Sequence, residues 1–75
     1  MNNARRKLIA NLVSALESQK DEAEYILGEE QEYFDNMPEG FQSSERGEAA
    51  ESAISELETA ISSIEEAISS LENIE

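Results

Sequence analysis

Apolar residues return on a seven-residue cycle through the last third of the chain, where from Ala53 the sequence reads AISELET AISSIEE AISSLEN IE. Placing Ile54, Ile61 and Ile68 at heptad position a puts Leu57, Ile64 and Leu71 at d, with Ala50 one heptad earlier. Ala53, Ala60 and Ala67 then fall at g, and Glu51, Glu58, Glu65 and Glu72 at e. The pattern predicts an amphipathic helix of coiled-coil type over about residues 44–74. Its apolar face takes in g as well as a and d, which suits contact with two neighbouring helices. The e row is acidic throughout and has no basic g partner, so two copies in parallel gain no interhelical salt bridges.

A second helix is predicted over about residues 4–35, where Leu8, Ile9, Leu12, Val13, Leu16, Ala23, Ile26, Leu27, Tyr33 and Phe34 keep helical spacing. The stripe turns polar at Gln19 and Lys20, a place either for packing on aliphatic stems or for local weakness. Asn2 or Asn3 is the candidate cap.

Between the two helices, Asn36-Met37-Pro38 is a stop signal, because proline restricts the residue before it and cannot continue a helix. Ser43 or Ser44 can cap the heptad helix, with Glu45 and Glu48 well placed for its dipole. A connector over 36–43 then joins two helices, each about 45 Å long at 1.5 Å per residue, into an antiparallel hairpin. That register sets residue 6 near residue 74, and Arg5, Arg6 and Lys7 beside Glu72 and Glu75. The expected fold class is all-α, a single helical hairpin with coiled-coil heptads that dimerises into a four-helix bundle. Ile54, Leu57, Ile61, Ile64, Ile68 and Leu71 are the expected oligomerisation residues.

Composition narrows the chemistry. With 75 residues, no Cys and no His, the chain has a small core and neither disulfides nor zinc ligation to staple it, which leaves oligomerisation. The same absences remove thiol chemistry and nucleophiles that depend on a histidine base. No run of about 18 apolar residues exists to span a bilayer. The opening MNNARRKLIANLVSAL has the basic-then-apolar order of a targeting segment, but Asn11 and Ser14 interrupt it and the helical pattern runs on, so a cytoplasmic protein is expected, in the host cytoplasm if viral.

The net charge of −13 is unevenly spread: residues 1–16 carry +3, residues 17–58 carry −12 and residues 59–75 carry −4. Such a chain repels nucleic acid and anionic membranes and attracts basic protein surfaces. Acid/base catalysis by paired carboxylates needs a concave site that a two-helix rod does not supply, so no enzyme activity is expected. The connector has glycine at the sixth position from Asp35, as in a calcium loop, but Met37 at the third, so no metal and no cofactor are expected. Tyr25, Tyr33, Phe34, Met37 and Phe41 are either a binding hot spot or a plug for the hairpin end; Phe34 reads as plug, while Tyr33 and Phe41 stay open. Arg46 is expected to pair with Glu45, Asp35 or the end of the first helix.

The stretch DNMPEGFQSSER, after EEQEYF and before an Ala/Ile/Leu/Glu heptad helix, resembles a set of short acidic helical proteins of phages and mobile elements with a D-N-M-P-E connector followed by Gln and S-E-R. The likeness covers about residues 29–73, implies a viral origin and a hairpin, and transfers no catalytic residues. Gly40 and Gly47 depart from the pattern, which has Asn and Tyr there, and imply a looser connector.

From Glu17 to Asp35 there are eight acids in 19 residues, about one per 3.5 Å of helix rise. That is close to the roughly 3.4 Å per phosphate along one DNA strand. The function expected is therefore a noncatalytic acidic inhibitor that blocks a basic, nucleic-acid-binding surface of a host protein by mimicry. Its contacts would be Glu22, Glu29, Glu30, Glu32, Asp35 and Glu39, with Tyr33 and Phe41 as apolar anchors. The alternatives are a coiled-coil scaffold or adaptor, and an antitoxin-like partner of a basic protein.

Overall fold

Asn2 opens the first helix, its side-chain Oδ1 accepting the Arg5 backbone N–H at 2.8 Å and so satisfying one of the donors a helix start leaves free. In a computed structural model that describes all residues, Met1–Glu75, this helix, α1, runs Asn3–Asp35. Asn36 closes it with a backbone N–H to the Glu32 carbonyl. Pro38 has no N–H to extend the ladder, and the chain turns there. The connector then makes one helical turn, α2 (Glu39–Gln42), held by Phe41 N–H on the Pro38 carbonyl at 2.8 Å. The pattern of the sequence predicts no helix at this point. Ser44 caps α3 (Glu45–Glu72) through its Oγ, with Glu45 and Glu48 in the first turn.

The two long helices lie against each other in opposite directions. Arg6, Ile9 and Val13 share a cleft with Leu71, Glu72 and Ile74; midway, Lys20 and Leu27 share a groove with Glu58, Ile61 and Glu65; at the connector, Tyr33 meets Arg46. The result is a rod with principal extents of 58 × 15 × 12 Å. Its radius of gyration of 17.2 Å compares with about 11 Å for a compact domain of this length.

Contact between two helices covers a narrow seam, and burial tracks it. On α1 the partly covered residues are Ile9, Val13, Leu16, Lys20, Ala23, Leu27, Glu30 and Phe34, alternating four and three apart. On α3 they are Ala50, Ile54, Leu57, Ile61, Ile64, Ile68 and Leu71, with Ala53 beside them. Only Gly47, Ala50, Ile61 and Ile68 are buried, all on α3. The side chains expected to oligomerise thus face α1 of their own chain.

Four expectations change. Leu8, Leu12, Ile26 and Tyr33, read as part of the first helix's inner stripe, are exposed because one partner helix cannot cover a face that wide. At the polar gap Lys20 is half-buried in the seam, with Gln19 exposed beside it. The basic cluster faces the far helix only in part: Arg6 and Glu72 line one cleft, but Arg6 Nε donates to the Met1 carbonyl at 3.4 Å. Gly47 tightens the connector, since a Cβ there would collide with the Gln42 backbone.

Candidate functional site

Seven-residue spacing along two antiparallel helices gives the rod two flanks, and the residues that fill them differ in kind. Glu24 and Tyr33 are nine residues apart on α1, two and a half turns at about 3.6 residues per turn, so they stand on opposite sides of the helix.

On the first flank Glu24, Glu58 and Glu65 line one open groove with Lys20, Leu27, Ile61 and Ser62. The row continues by heptad steps to Glu17 and Gln31 on α1, and to Glu51 and Glu72 on α3, all exposed. Carboxylates of like charge thus face each other across the seam, with Lys20 the cation that lines the groove. Spacing of about 10 Å along each helix results from seven residues at 1.5 Å. This flank is a row of solvent-exposed carboxylates.

On the other flank, at the connector end, Tyr33, Asn36, Met37, Pro38, Phe41 and Arg46 line a shallow groove of about 370 Å³. Its lining holds no carboxylate, so of the placements expected for Arg46 it takes the end of α1, where it shares the groove with aromatic and apolar side chains. Heptad steps from Tyr33 lead along α1 to Ile26, Gln19, Leu12 and Arg5; from Arg46 they lead along α3 to Ala53, Ala60, Ala67 and Ile74. This second flank is apolar for most of its length, with Leu12, Ile26 and Tyr33 about half exposed at 48, 52 and 49%.

The residues expected to bind a partner do not form one face. Tyr33 and Phe41 come together in the connector groove, both exposed, with the half-buried Met37 in the same lining, while Phe34 is half-buried outside it. Glu22 and Glu29 lie one heptad apart, each four residues before Ile26 or Tyr33, and so rim the apolar flank. Glu32 and Asp35 are exposed, and Gln31 Nε2 donates to Asp35 Oδ1 at 3.1 Å. Glu39 is exposed in the first turn of α2. Glu30 is half-buried in the seam facing α3.

Two features lie beyond the sequence-based expectations. Gln42 ties the connector to α1 by donating from Nε2 to the Phe34 carbonyl at 3.1 Å, one of the acceptors a helix end leaves free. A lone glutamine in a polar loop carries no signal of that contact. The acidic flank was accessible: Glu17 and Glu24 are one heptad apart and match the e row of α3. Comparison with protein families, with curated proteins and with solved structures found no match.

Proposed function

We propose that this chain is a noncatalytic interaction protein, phage-encoded as its connector resemblance implies, that acts as a homodimer and blocks a basic nucleic-acid-binding surface on a host protein. The observation that carries the reading is the groove in which Glu24, Glu58 and Glu65 converge from two helices. Carboxylates gathered along one groove in excess of the single Lys20 repel one another, and a basic partner relieves that repulsion on binding. The acids at the connector end, Glu22, Glu29, Glu30, Glu32, Asp35 and Glu39, extend the negative field past the groove, and Tyr33 and Phe41 offer apolar contact there. Helices fix the spacing of the flank charges at about 10 Å along each row, so what is mimicked is the negative field of a nucleic acid and not its phosphate repeat.

Affinity capture with the native chain tests this, with captured proteins identified by mass spectrometry and challenged with duplex DNA. The expected catch is basic nucleic-acid-binding protein that DNA displaces and that a Glu24, Glu51, Glu58 and Glu65→Lys variant, altered along the acidic flank, fails to hold. Retention of the same proteins by that variant sinks the reading.

A scaffold or adaptor role is the second reading, favoured by the exposed apolar flank. It predicts that partner binding survives reversal of the acids and is lost when Leu12 and Ile26 of the exposed flank are changed.

A further inference from the structure

We propose that the apolar flank receives a second copy of this chain with its connector at the opposite end of the rod, so that α1 lies antiparallel on α1 about Gln19. This deepens the dimer in the function proposed above and rests on it.

Three observations converge. First, the chain exposes 5649 Å², whereas a compact monomer of 8.3 kDa exposes about 4,600 Å². The excess, on the order of 1,000 Å², is about what one partner contributes to a specific interface, roughly 800 Å². Second, this flank of α1 is self-complementary. Its heptad positions are Arg5, Leu12, Gln19, Ile26 and Tyr33, and reversing the helix about Gln19 sets Leu12 on Ile26, Gln19 on Gln19 and Arg5 on Tyr33. Those are an apolar pair, an amide pair that satisfies itself, and a cation over an aromatic ring. Ala60 stands level with Gln19, since their neighbours Lys20 and Ile61 line one groove, so the flank is small at the twofold axis and lets the rods approach closely. Third, charge selects the direction. The end bearing Arg5, Arg6 and Lys7 comes within a turn of Glu29, Glu30 and Glu32 of the second copy. With both connectors at one end, those acids would instead crowd each other, and like charges across an interface are strongly disfavoured.

In this arrangement the flanks carrying Glu17, Glu24, Glu51, Glu58, Glu65 and Glu72 lie on the two outer sides of a four-helix bundle, free for a basic partner, while Tyr33 and Glu29, Glu30 and Glu32 are engaged by the second copy.

Single cysteine variants report the geometry cleanly, because the chain has no cysteine of its own. Under mild oxidation Gln19→Cys is expected to form a disulfide-linked dimer. A mixture of Leu12→Cys and Ile26→Cys chains should cross-link to each other and not to themselves. A mixture of Leu12→Cys and Ala67→Cys chains, which reports connectors at the same end, should not cross-link. Cross-linking of 12 to 67 without 12 to 26 overturns the proposed direction while leaving a dimer. Sedimentation of the unaltered chain should give twice 8.3 kDa. A monomer at 100 µM or so overturns the dimer itself, and with it this proposal, but leaves capture of a basic partner by the acids open to its own test. Leu12→Glu with Ile26→Glu should give a helical monomer by sedimentation and circular dichroism.

Discussion

Two glycines carry opposite predictions. Gly47 is buried in the first turn of α3, where an added Cβ would press on the carbonyl, carbon and Cα of Gln42, all of them backbone atoms. Gly28 sits in the interior of α1 with nothing within 4 Å of an added Cβ. Alanine improves helix propensity at either position by up to about 1 kcal/mol. At Gly47 that gain is outweighed by an overpacking cost of about 1–3 kcal/mol, since a connector spliced to two helices yields poorly. Gly28→Ala should therefore raise the unfolding midpoint and Gly47→Ala lower it, each by about 4–8 °C per kcal/mol in thermal melts followed by circular dichroism. Equal shifts of one sign would mean that the approach of Gln42 to Gly47 does not hold the connector. Gln42→Ala removes the bond to the Phe34 carbonyl and should cost about 1 kcal/mol, while the neighbouring Ser43→Ala should be near neutral.

At the scale of the helix, the seam of α1 contains two charged residues, Lys20 and Glu30, in positions otherwise held by Ile9, Val13, Leu16, Ala23, Leu27 and Phe34. Replacing Glu30 with leucine adds apolar contact and removes one negative charge from a chain at −13, so both effects have the same sign. The variant should be stabilised by about 1 kcal/mol in denaturant unfolding, and a drop in midpoint would show that Glu30 makes a contact its half-burial does not reveal. If the acids bind a basic partner, Glu30→Leu also weakens that binding, which separates a functional glutamate from a tolerated one. The same seam shows why part of the fold was legible in sequence. Ile54, Ile61 and Ile68 repeat on a seven-residue cycle with uniform neighbours, so the helix and its inner face can be read from spacing. On α1, apolar residues occupy two adjacent rows, one through Ile9 and Val13 and one through Leu8 and Leu12. Periodicity cannot say which row meets the partner helix and which is left for something else. The helical turn at Glu39–Gln42 was illegible for a different reason: four residues between a proline and a serine cap are too few for any period to appear. The candidate site divides the same way, the glutamate rows being visible as spacing and the convergence of Glu24 with Glu58 and Glu65 only as geometry.

The whole molecule is a rod with eighteen acids against five cations, and its stability should respond to salt in a direction that composition alone fixes. Adjacent carboxylates in one heptad row are about 10 Å apart, where two unit charges in water repel by about 0.4 kcal/mol. The screening length is about 30 Å at 0.01 M salt and about 10 Å at 0.1 M, so at low salt each carboxylate feels several others and at 0.1 M only its nearest. Summed along both helices the relief amounts to about 2 kcal/mol, or a rise in the unfolding midpoint of roughly 10 °C between 0.01 and 0.15 M. Pairing of Arg5, Arg6 and Lys7 with the acids of a second copy works against this, since salt weakens attraction as well. Three cations at each end cannot reverse the balance in a chain with a net charge of −13. The midpoint should thus climb with sodium chloride at fixed protein concentration and level off once the screening length falls below the heptad spacing. A midpoint flat or falling over that range would mean that like-charge repulsion does not limit the fold, and would remove the argument that a basic partner binds by relieving it.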